Sequence, residues 1–164
     1  MKAISYLSGT DHEFLNPLID IDKDIPTLKD QDLLVKINAI SVNPVDTKVR
    51  QGKVTQDNTR VLGWDAVGEV VQIGSKVQHF KIGDQVWYAG DLTRDGSNAE
   101  FQAVDERIVS LKPQSISNAE SAAFPLTAIT AWEMLFERLN VDINSSDTIL
   151  IIGGAGGVGS IDIR

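Results

Sequence analysis

An apolar run that leads into closely spaced glycines constrains the fold of this chain more than any other feature. Residues 148–152 read Thr-Ile-Leu-Ile-Ile, and a G-x-G-x-x-G pattern follows them. This order is typical of the first strand of a dinucleotide-binding fold, in which glycines let the backbone approach a pyrophosphate at the N-terminus of the next helix. The alternative is an ordinary glycine-rich turn between a strand and a helix. The residues predicted to bind the cofactor in this turn are Gly154, Gly156, Gly157, Val158 and Gly159.

Charge and hydropathy exclude several classes of partner. The chain has 164 residues, of which 42% are hydrophobic, and its formal net charge is −8. This acidic balance argues against a nucleic-acid or anionic-membrane surface, where basic clusters are expected. No apolar stretch is long enough to span a bilayer, and the first residues lack the apolar core of a signal peptide. We therefore expect a cytoplasmic protein with no membrane and no nucleic-acid partner.

Cysteine and histidine usage bears on metal binding. The chain contains no cysteine, which excludes disulfides and thiolate-bound zinc. Its two histidines, His12 and His79, are isolated in the sequence, and we expect each to be a surface residue.

The first two thirds of the chain is rich in short strands. Strands are predicted at residues 1–7, 32–42 and 63–74, and the internal Gly68 of the last one indicates a bulge or a close backbone approach. Residues 43–52 resemble a short helix that Asn43 caps and in which Pro44 takes the first position. Short strands with Gly and Asp turns up to about residue 111 favour a small barrel or a sandwich.

Helical signals take over in the last third. Ser117 and Glu120 form a capping box, and Pro125 interrupts the helix that they begin. Residues 126–139 have the periodicity of a longer helix with one buried face. We divide the chain into a β-rich domain at residues 1–125, a connecting helix and linker at 126–146, and the start of a nucleotide-binding domain at 147–164.

Several segments, in this order, resemble the medium-chain dehydrogenase/reductase superfamily. The resemblance is strongest to its zinc-free quinone-oxidoreductase branch and to the members labelled zinc-type alcohol dehydrogenase-like. It implies a mainly β fold with some α, in which a GroES-like β-barrel catalytic domain precedes the first strand and glycine-rich turn of a truncated Rossmann domain. Family chains are about twice this length, so we expect an N-terminal fragment that is inactive alone. The matching segments are residues 39–46, 63–68, 83–90, 122–127, 130–132 and the glycine run.

The departures from the zinc-dependent family members lie at the ligand positions. The resemblance places those ligands at Asn43, at Trp64 and near Leu126, and none of these is a Cys or a His. Catalytic zinc usually has three protein ligands and an open position for water. We therefore predict that no metal is bound. Asp65 takes the place of a Glu that lies behind zinc in relatives, and we expect it to pair with a nearby cation.

The resemblance also implies catalytic and cofactor roles near the start of the short helix. Asn43 is a candidate donor toward the substrate or the nicotinamide ribose, with helix capping as the alternative. Asp46 is a candidate for holding this loop together, against an exposed acid in the first helical turn. Lys48 replaces a family Tyr and is a weaker candidate proton donor. Thr130 matches a family Thr that faces the nicotinamide end of the cofactor.

Trp64 and Tyr88 are candidates for lining an apolar substrate pocket, with core packing as the alternative. The resemblance implies an NADPH-dependent, zinc-independent oxidoreductase that acts on quinones or α,β-unsaturated carbonyls, and we expect it to form homo-oligomers. NADH is an open alternative, because the residue that selects the ribose phosphate lies about 20 positions beyond the glycines. A zinc alcohol dehydrogenase and a non-enzymatic GroES-like binding module are the competing interpretations.

Overall fold

The structure is a computed structural model that describes residues 1–6, 18–51, 60–146 and 148–163. Two antiparallel sheets form its framework, with one short helix between β-strands and the other short helices after the last strand. The strands are β1 (Lys2–Tyr6), β2 (Leu18–Asp22), β3 (Asp32–Ser41), β4 (Arg60–Val61), β5 (Asp65–Ile73), β6 (Gln85–Ala89), β7 (Phe101–Asp105) and β8 (Val109–Leu111). The helices are α1 (Pro44–Gln51), α2 (Asn118–Ala122), α3 (Pro125–Trp132) and α4 (Gly159–Asp162), with a 3₁₀ turn at Glu106–Ile108 and a π-helical segment at Glu133–Arg138.

The larger sheet contains the hydrophobic core of the β-rich region. Its strand order is β7-β3-β5-β6-β8, and the smaller sheet has the order β2-β1-β4. Residues on one face of β3, β5 and β6 alternate inward and pack as a buried cluster. The members of this cluster are Leu33, Val35, Ala66, Val70, Val86, Tyr88 and Val104. The predicted strands at residues 1–7, 32–42 and 63–74 are confirmed by β1, β3 and β5.

Gly68 lies where β3 and β5 come unusually close. A Cβ atom at this position would lie 2.3 Å from the carbonyl oxygen of Lys36 and 2.5 Å from Cγ1 of Val35. The register of the two strands also shifts between Ile37 and Ala39, beside Gly68. The predicted close approach is therefore confirmed, because only a residue without a side chain fits there.

The two sheets join at one edge. Ala3 of β1 forms an isolated bridge with Ala99, and the N–H of Ile4 donates to the carbonyl of Asn98 at 2.8 Å. Strand β2 completes the smaller sheet, although its Leu-Ile-Asp-Ile-Asp sequence was not predicted as a strand. Its mostly exposed or half-buried residues make it an edge strand, where patterning is weak. The mostly β architecture agrees with the predicted fold class.

The helices after residue 111 begin as their caps predict but do not continue as predicted. Ser117 and Glu120 form the capping box of α2, and Pro125 opens α3. The α-helix ends at Trp132, and the π-helical segment replaces its predicted continuation to Leu139. The predicted buried face is also wrong, since Trp132 is 64% exposed. The buried residues of α3 are Pro125 and Ala131 instead, and the helix contacts β5, β6 and α4.

The predicted strand at residues 148–152 does not form. Residues 148–151 have no regular structure, residue 152 begins a turn, and Leu150 and Ile152 are 86% and 91% exposed. A parallel strand needs neighbours for its hydrogen bonds, and none of the described strands pairs with this run. The glycine-rich turn and α4 follow it.

None of the described helices has both the length and the apolar character that a membrane span requires.

Candidate functional site

A buried carboxylate joins two segments that are far apart in the sequence. Asp65, the first residue of β5, is fully buried. Its Oδ2 accepts a hydrogen bond from Nδ2 of Asn43 at 2.8 Å, and its Oδ1 accepts one from the backbone N–H of Leu126, also at 2.8 Å. Among the residues that the structure describes, no cation pairs with Asp65, so the expected ion pair is wrong for this part of the chain. An amide and a helix N–H hold this carboxylate instead.

Burial has the largest effect on the pKa of the Asp65 carboxyl group. It raises the pKa of Asp65 from 3.8 to about 6, although the hydrogen bonds from Asn43 and Leu126 act in the opposite direction. The nearby carboxylate of Asp46 adds a smaller upward shift of this pKa. Asp65 is consequently ionised at neutral pH and becomes partly protonated in mild acid.

The buried side chain of Asp46 caps the first turn of α1. Its Oδ2 accepts the backbone N–H of Asn43 at 2.7 Å, which is one half of a capping box with Asn43 at the N-cap position. Asp46 is only 6% exposed, so the alternative of an exposed acid in the first turn is wrong. Burial raises the pKa of Asp46, and the hydrogen bond from Asn43 opposes this shift. Its Oδ1 is buried without a hydrogen-bond partner in the described chain.

The side chains at the family's zinc-ligand positions do not suit a zinc ion. Asn43 uses its amide to reach Asp65, and Leu126 offers only a backbone N–H. Trp64 is 2% exposed and packs with Tyr6 and Leu62 in a second hydrophobic cluster. Zinc in proteins prefers thiolate, imidazole and carboxylate ligands. In the part of the chain that the structure describes, no three His, Cys, Asp or Glu side chains form a group that could hold a metal.

Of the two histidines, the structure describes only His79. His79 is exposed, as expected. His12 lies outside the described residues.

The glycine-rich turn lies against α3, the helix that carries Thr130. Thr130 is exposed on α3, and its Oγ1 donates to the carbonyl of Leu126 at 2.7 Å. One turn earlier, Cγ2 of Thr127 lies 3.2 Å from the position that a Cβ of Gly157 would occupy. The turn therefore rests against the same helix whose first residues bind Asp65. The role of these residues in cofactor binding stays a prediction.

The structure does not bring every predicted site residue into this group. Lys48 is exposed on α1. Trp64 and Tyr88 belong to two different hydrophobic clusters, and the Tyr88 hydroxyl donates to Oε1 of Gln102 at 2.8 Å. Both aromatic side chains are almost completely buried, as the core-packing alternative expects. Their role as a substrate pocket stays a prediction.

The linking role of Asp65 was missed in the sequence, although a signal for it existed. Asp65 begins a strand that is otherwise almost entirely apolar up to residue 71. A carboxylate in such a place is buried, and a buried carboxylate requires hydrogen-bond donors. The identity of the donors depends on the fold, because Leu126 is 61 residues away.

Comparison with known proteins places these features in a family. The alcohol dehydrogenase GroES-like domain matches residues 29–114. A zinc-type alcohol dehydrogenase-like protein from Staphylococcus aureus is 54% identical over 140 residues, which cover 83% of this chain and 42% of that protein. A 2-methylene-furan-3-one reductase from Solanum lycopersicum is 40% identical over 176 residues, covering 100% of this chain and 43% of that protein.

Solved structures agree with this placement. A putative zinc-dependent alcohol dehydrogenase from Rhizobium etli has a TM-score of 0.85 at 45% identity, over 99% of this chain and 48% of that one. The quinone oxidoreductase of Escherichia coli, solved in complex with NADPH, has a TM-score of 0.75 at 26% identity over the same shares. The chain thus spans about half the length of the relatives that it matches. It belongs to the alcohol dehydrogenase GroES-like family of the medium-chain dehydrogenase/reductase superfamily.

Proposed function

We propose that the whole protein is a zinc-independent oxidoreductase that uses NADPH to reduce quinones or α,β-unsaturated carbonyl compounds. The observation that carries this proposal is the hydrogen bond between Asn43 and Asp65. Asn43 stands where the resemblance places a zinc ligand, and its side chain is an amide. This amide is hydrogen-bonded to the carboxylate of Asp65. The similarity to an enone reductase and to a quinone oxidoreductase that binds NADPH supports the same class of reaction.

The residues around α3 suit a nicotinamide nucleotide. The glycine-rich turn at residues 153–159 would hold the pyrophosphate, because glycines let a backbone come close to this group. Thr130 would contact the nicotinamide end. Its hydroxyl proton is already donated to Leu126, so its oxygen is left as a hydrogen-bond acceptor. When bound, NADPH would supply the hydride.

Asn43 would replace the Lewis acid of the zinc enzymes. An Asn amide carries two N–H donors, and one of them is used by Asp65. The second donor is left for the oxygen of the substrate carbonyl. When a hydride adds to the β-carbon of an enone, the C=C π electrons move toward that oxygen and a negative charge develops there. A hydrogen bond from a rigidly held amide stabilises this charge.

The reduction is completed by a proton on the α-carbon of the enone or on the quinone oxygen. Lys48 is the candidate donor within this chain, since it is exposed on α1, the helix that begins next to Asn43. Solvent water is the alternative source of this proton.

The proposal is tested with the full-length protein after treatment with a metal chelator. We expect it to oxidise NADPH in the presence of para-benzoquinone or methyl vinyl ketone without added zinc, with elemental analysis showing no bound metal. Asn43→Ala should reduce kcat by about a hundredfold, as expected for loss of one oxyanion donor. Asn144→Ala, which removes an exposed amide, is the matched control and should leave kcat unchanged.

The competing functions predict different outcomes. A zinc alcohol dehydrogenase would lose activity to the chelator and regain it with zinc. A non-enzymatic GroES-like module would neither bind NADPH nor turn over either substrate. A parallel titration with NADH decides between the two nicotinamide cofactors.

A further inference from the structure

We propose that Asp65 is a positioning residue that fixes Asn43 and Thr130 relative to each other. This inference rests on the proposed function, because it concerns the two residues assigned to the substrate and the nicotinamide. It differs from that function in giving a role to a residue that touches neither the substrate nor the cofactor.

The link is a continuous chain of hydrogen bonds. Nδ2 of Asn43 donates to one oxygen of Asp65, and the N–H of Leu126 donates to the other. The carbonyl of Leu126 then accepts the hydroxyl of Thr130 at 2.7 Å. A single carboxylate therefore connects the start of α1 to the first turn of α3. Both of its oxygens are used, so neither helix can shift without breaking a bond to it.

The surroundings of Asp65 make this link stiff. The side chain is fully buried, and none of the ion pairs among the described residues includes it. In a water-poor environment, a broken hydrogen bond to a charged group is costly, because no solvent replaces the lost partner. Asn43 is itself almost completely buried, so its amide has little freedom to turn away.

The orientation of the Asn43 amide follows from the charge of Asp65. A carboxylate only accepts hydrogen bonds, so the NH₂ group of Asn43 must face it and the carbonyl oxygen must point elsewhere. In Asp65→Asn, the single amide oxygen could accept from Asn43 or from the N–H of Leu126 but not from both, because the NH₂ group would face the other donor. Either the amide of Asn43 would turn away, which redirects the donor that the proposed reaction needs, or the bond to α3 would be lost.

The first test uses the chain alone and needs no cofactor. In NMR spectra of the unchanged chain, we expect the two side-chain NH₂ protons of Asn43 to be well separated, with the proton bonded to Asp65 downfield. In Asp65→Asn this separation should collapse, while the NH₂ protons of Asn144 stay unchanged. An unaltered Asn43 signal in a folded variant would overturn the proposal, whether or not the protein binds NADPH.

The second test uses the full-length protein. Asp65→Asn should weaken NADPH binding and lower kcat by about tenfold each, as expected for a misplaced site. Glu106→Gln is the control, because Glu106 is a buried carboxylate that accepts the backbone N–H groups of Gln78 and His79 in another part of the fold. It should change both constants by less than twofold. Equal losses in the two variants would show a general effect on folding and would overturn the proposal.

A double-mutant cycle with Thr130→Val separates positioning from simple destabilisation. If Asp65 acts partly through Thr130, the loss of NADPH affinity from Thr130→Val should be several-fold smaller in the Asp65→Asn background. Full additivity would contradict the link. If Asp65→Asn does not fold, the reversed pair Asn43→Asp with Asp65→Asn restores one donor and one acceptor. It should then fold and bind NADPH more tightly than Asn43→Asp alone, and failure of this rescue would also overturn the proposal.

Discussion

Arg94 holds the carboxylate of Asp32 with two parallel hydrogen bonds. The distances are 2.9 Å from Nη1 to Oδ1 and 2.7 Å from Nη2 to Oδ2. Asp32 is almost completely buried at the start of β3, and it also accepts the N–H of Lys29. This pair ties the loop at residues 91–98 to β3, an inner strand of the larger sheet.

Removing one partner of this pair should destabilise the chain. Arg94→Ala leaves a buried carboxylate without its cation, and we expect the free energy of unfolding to fall by about 3 kcal/mol. Arg94→Lys should recover only part of this loss, because lysine lacks the planar fork. Arg107→Ala is the control: Arg107 binds Asp105 in the same bidentate way, but it is exposed and should contribute little. Urea unfolding of the three variants measures these differences.

The stability of the Asp32–Arg94 pair should also depend on pH. Burial works to raise the pKa of Asp32, but the hydrogen bonds from Arg94 and Lys29 outweigh it and place the pKa below its ordinary value. The stabilisation is therefore present above about pH 4 and is lost as the pH falls further. The difference in unfolding free energy between the wild type and Arg94→Ala should shrink when urea unfolding is repeated in acid. A constant difference would contradict this account.

Asp65 should make the stability of the folded chain depend on pH in the opposite direction. Because its pKa in the folded state is raised to about 6, the folded chain binds this proton more tightly than the unfolded chain does. Asp65 therefore lowers stability as the pH rises from about 4 to about 6, by about 3 kcal/mol in total, with no further change above that range. Urea unfolding across this range should show this slope in the wild type relative to Asp65→Asn. Parallel pH profiles would contradict it.

A methyl group at Gly68 should disturb the contact between β3 and β5. In Gly68→Ala the new Cβ would meet the Lys36 carbonyl at 2.3 Å, and the two strands must separate to admit it. We expect a loss of about 3 kcal/mol in unfolding free energy. Gly83→Ala is the matched control, since Gly83 has a φ of +95° but no atom within 4 Å of a new Cβ. It should cost about 1 kcal/mol from backbone strain alone, as measured by urea unfolding.

The exposed apolar run at residues 148–152 should promote association between copies of the chain. Leu150 and Ile152 project into solvent, and apolar side chains in this state favour contact with another surface. We propose that the chain self-associates through this run. Replacing both residues with lysine should shift sedimentation toward the monomer. A chain that ends before residue 146 should behave as the double variant does. Identical sedimentation of all three chains would contradict this role.

Much of the β-rich region was predictable because its signals are local. The capping box of α2 depends on Ser117 and Glu120 alone, and the interruption before α3 depends on Pro125. The strands β3 and β5 have long apolar runs that favour a buried strand wherever it pairs. The edge strand β2 lacked such a pattern and was missed, since its pairing with β1 depends on the rest of the sheet.

The parts that were predicted wrongly depend on partners distant in sequence. The apolar spacing of residues 126–139 was interpreted as a buried face, and the β-branched run at 148–152 as a strand. A buried helix face needs a second layer to pack against, and a strand needs a neighbouring strand to pair with. Among the described residues no such strand pairs with the run, and the side chains of Trp132 and Leu150 are exposed.

The sequence by itself determined most of the local elements, the family of the chain and the residue types at the positions that correspond to zinc ligands in zinc-dependent relatives, because these follow from short patterns and side-chain chemistry. Only the tertiary structure decided what Asp65 binds. Its carboxylate is held by donors 22 residues earlier and 61 residues later in the chain. Burial created the need for such donors, and folding alone determined which groups came close enough to meet it.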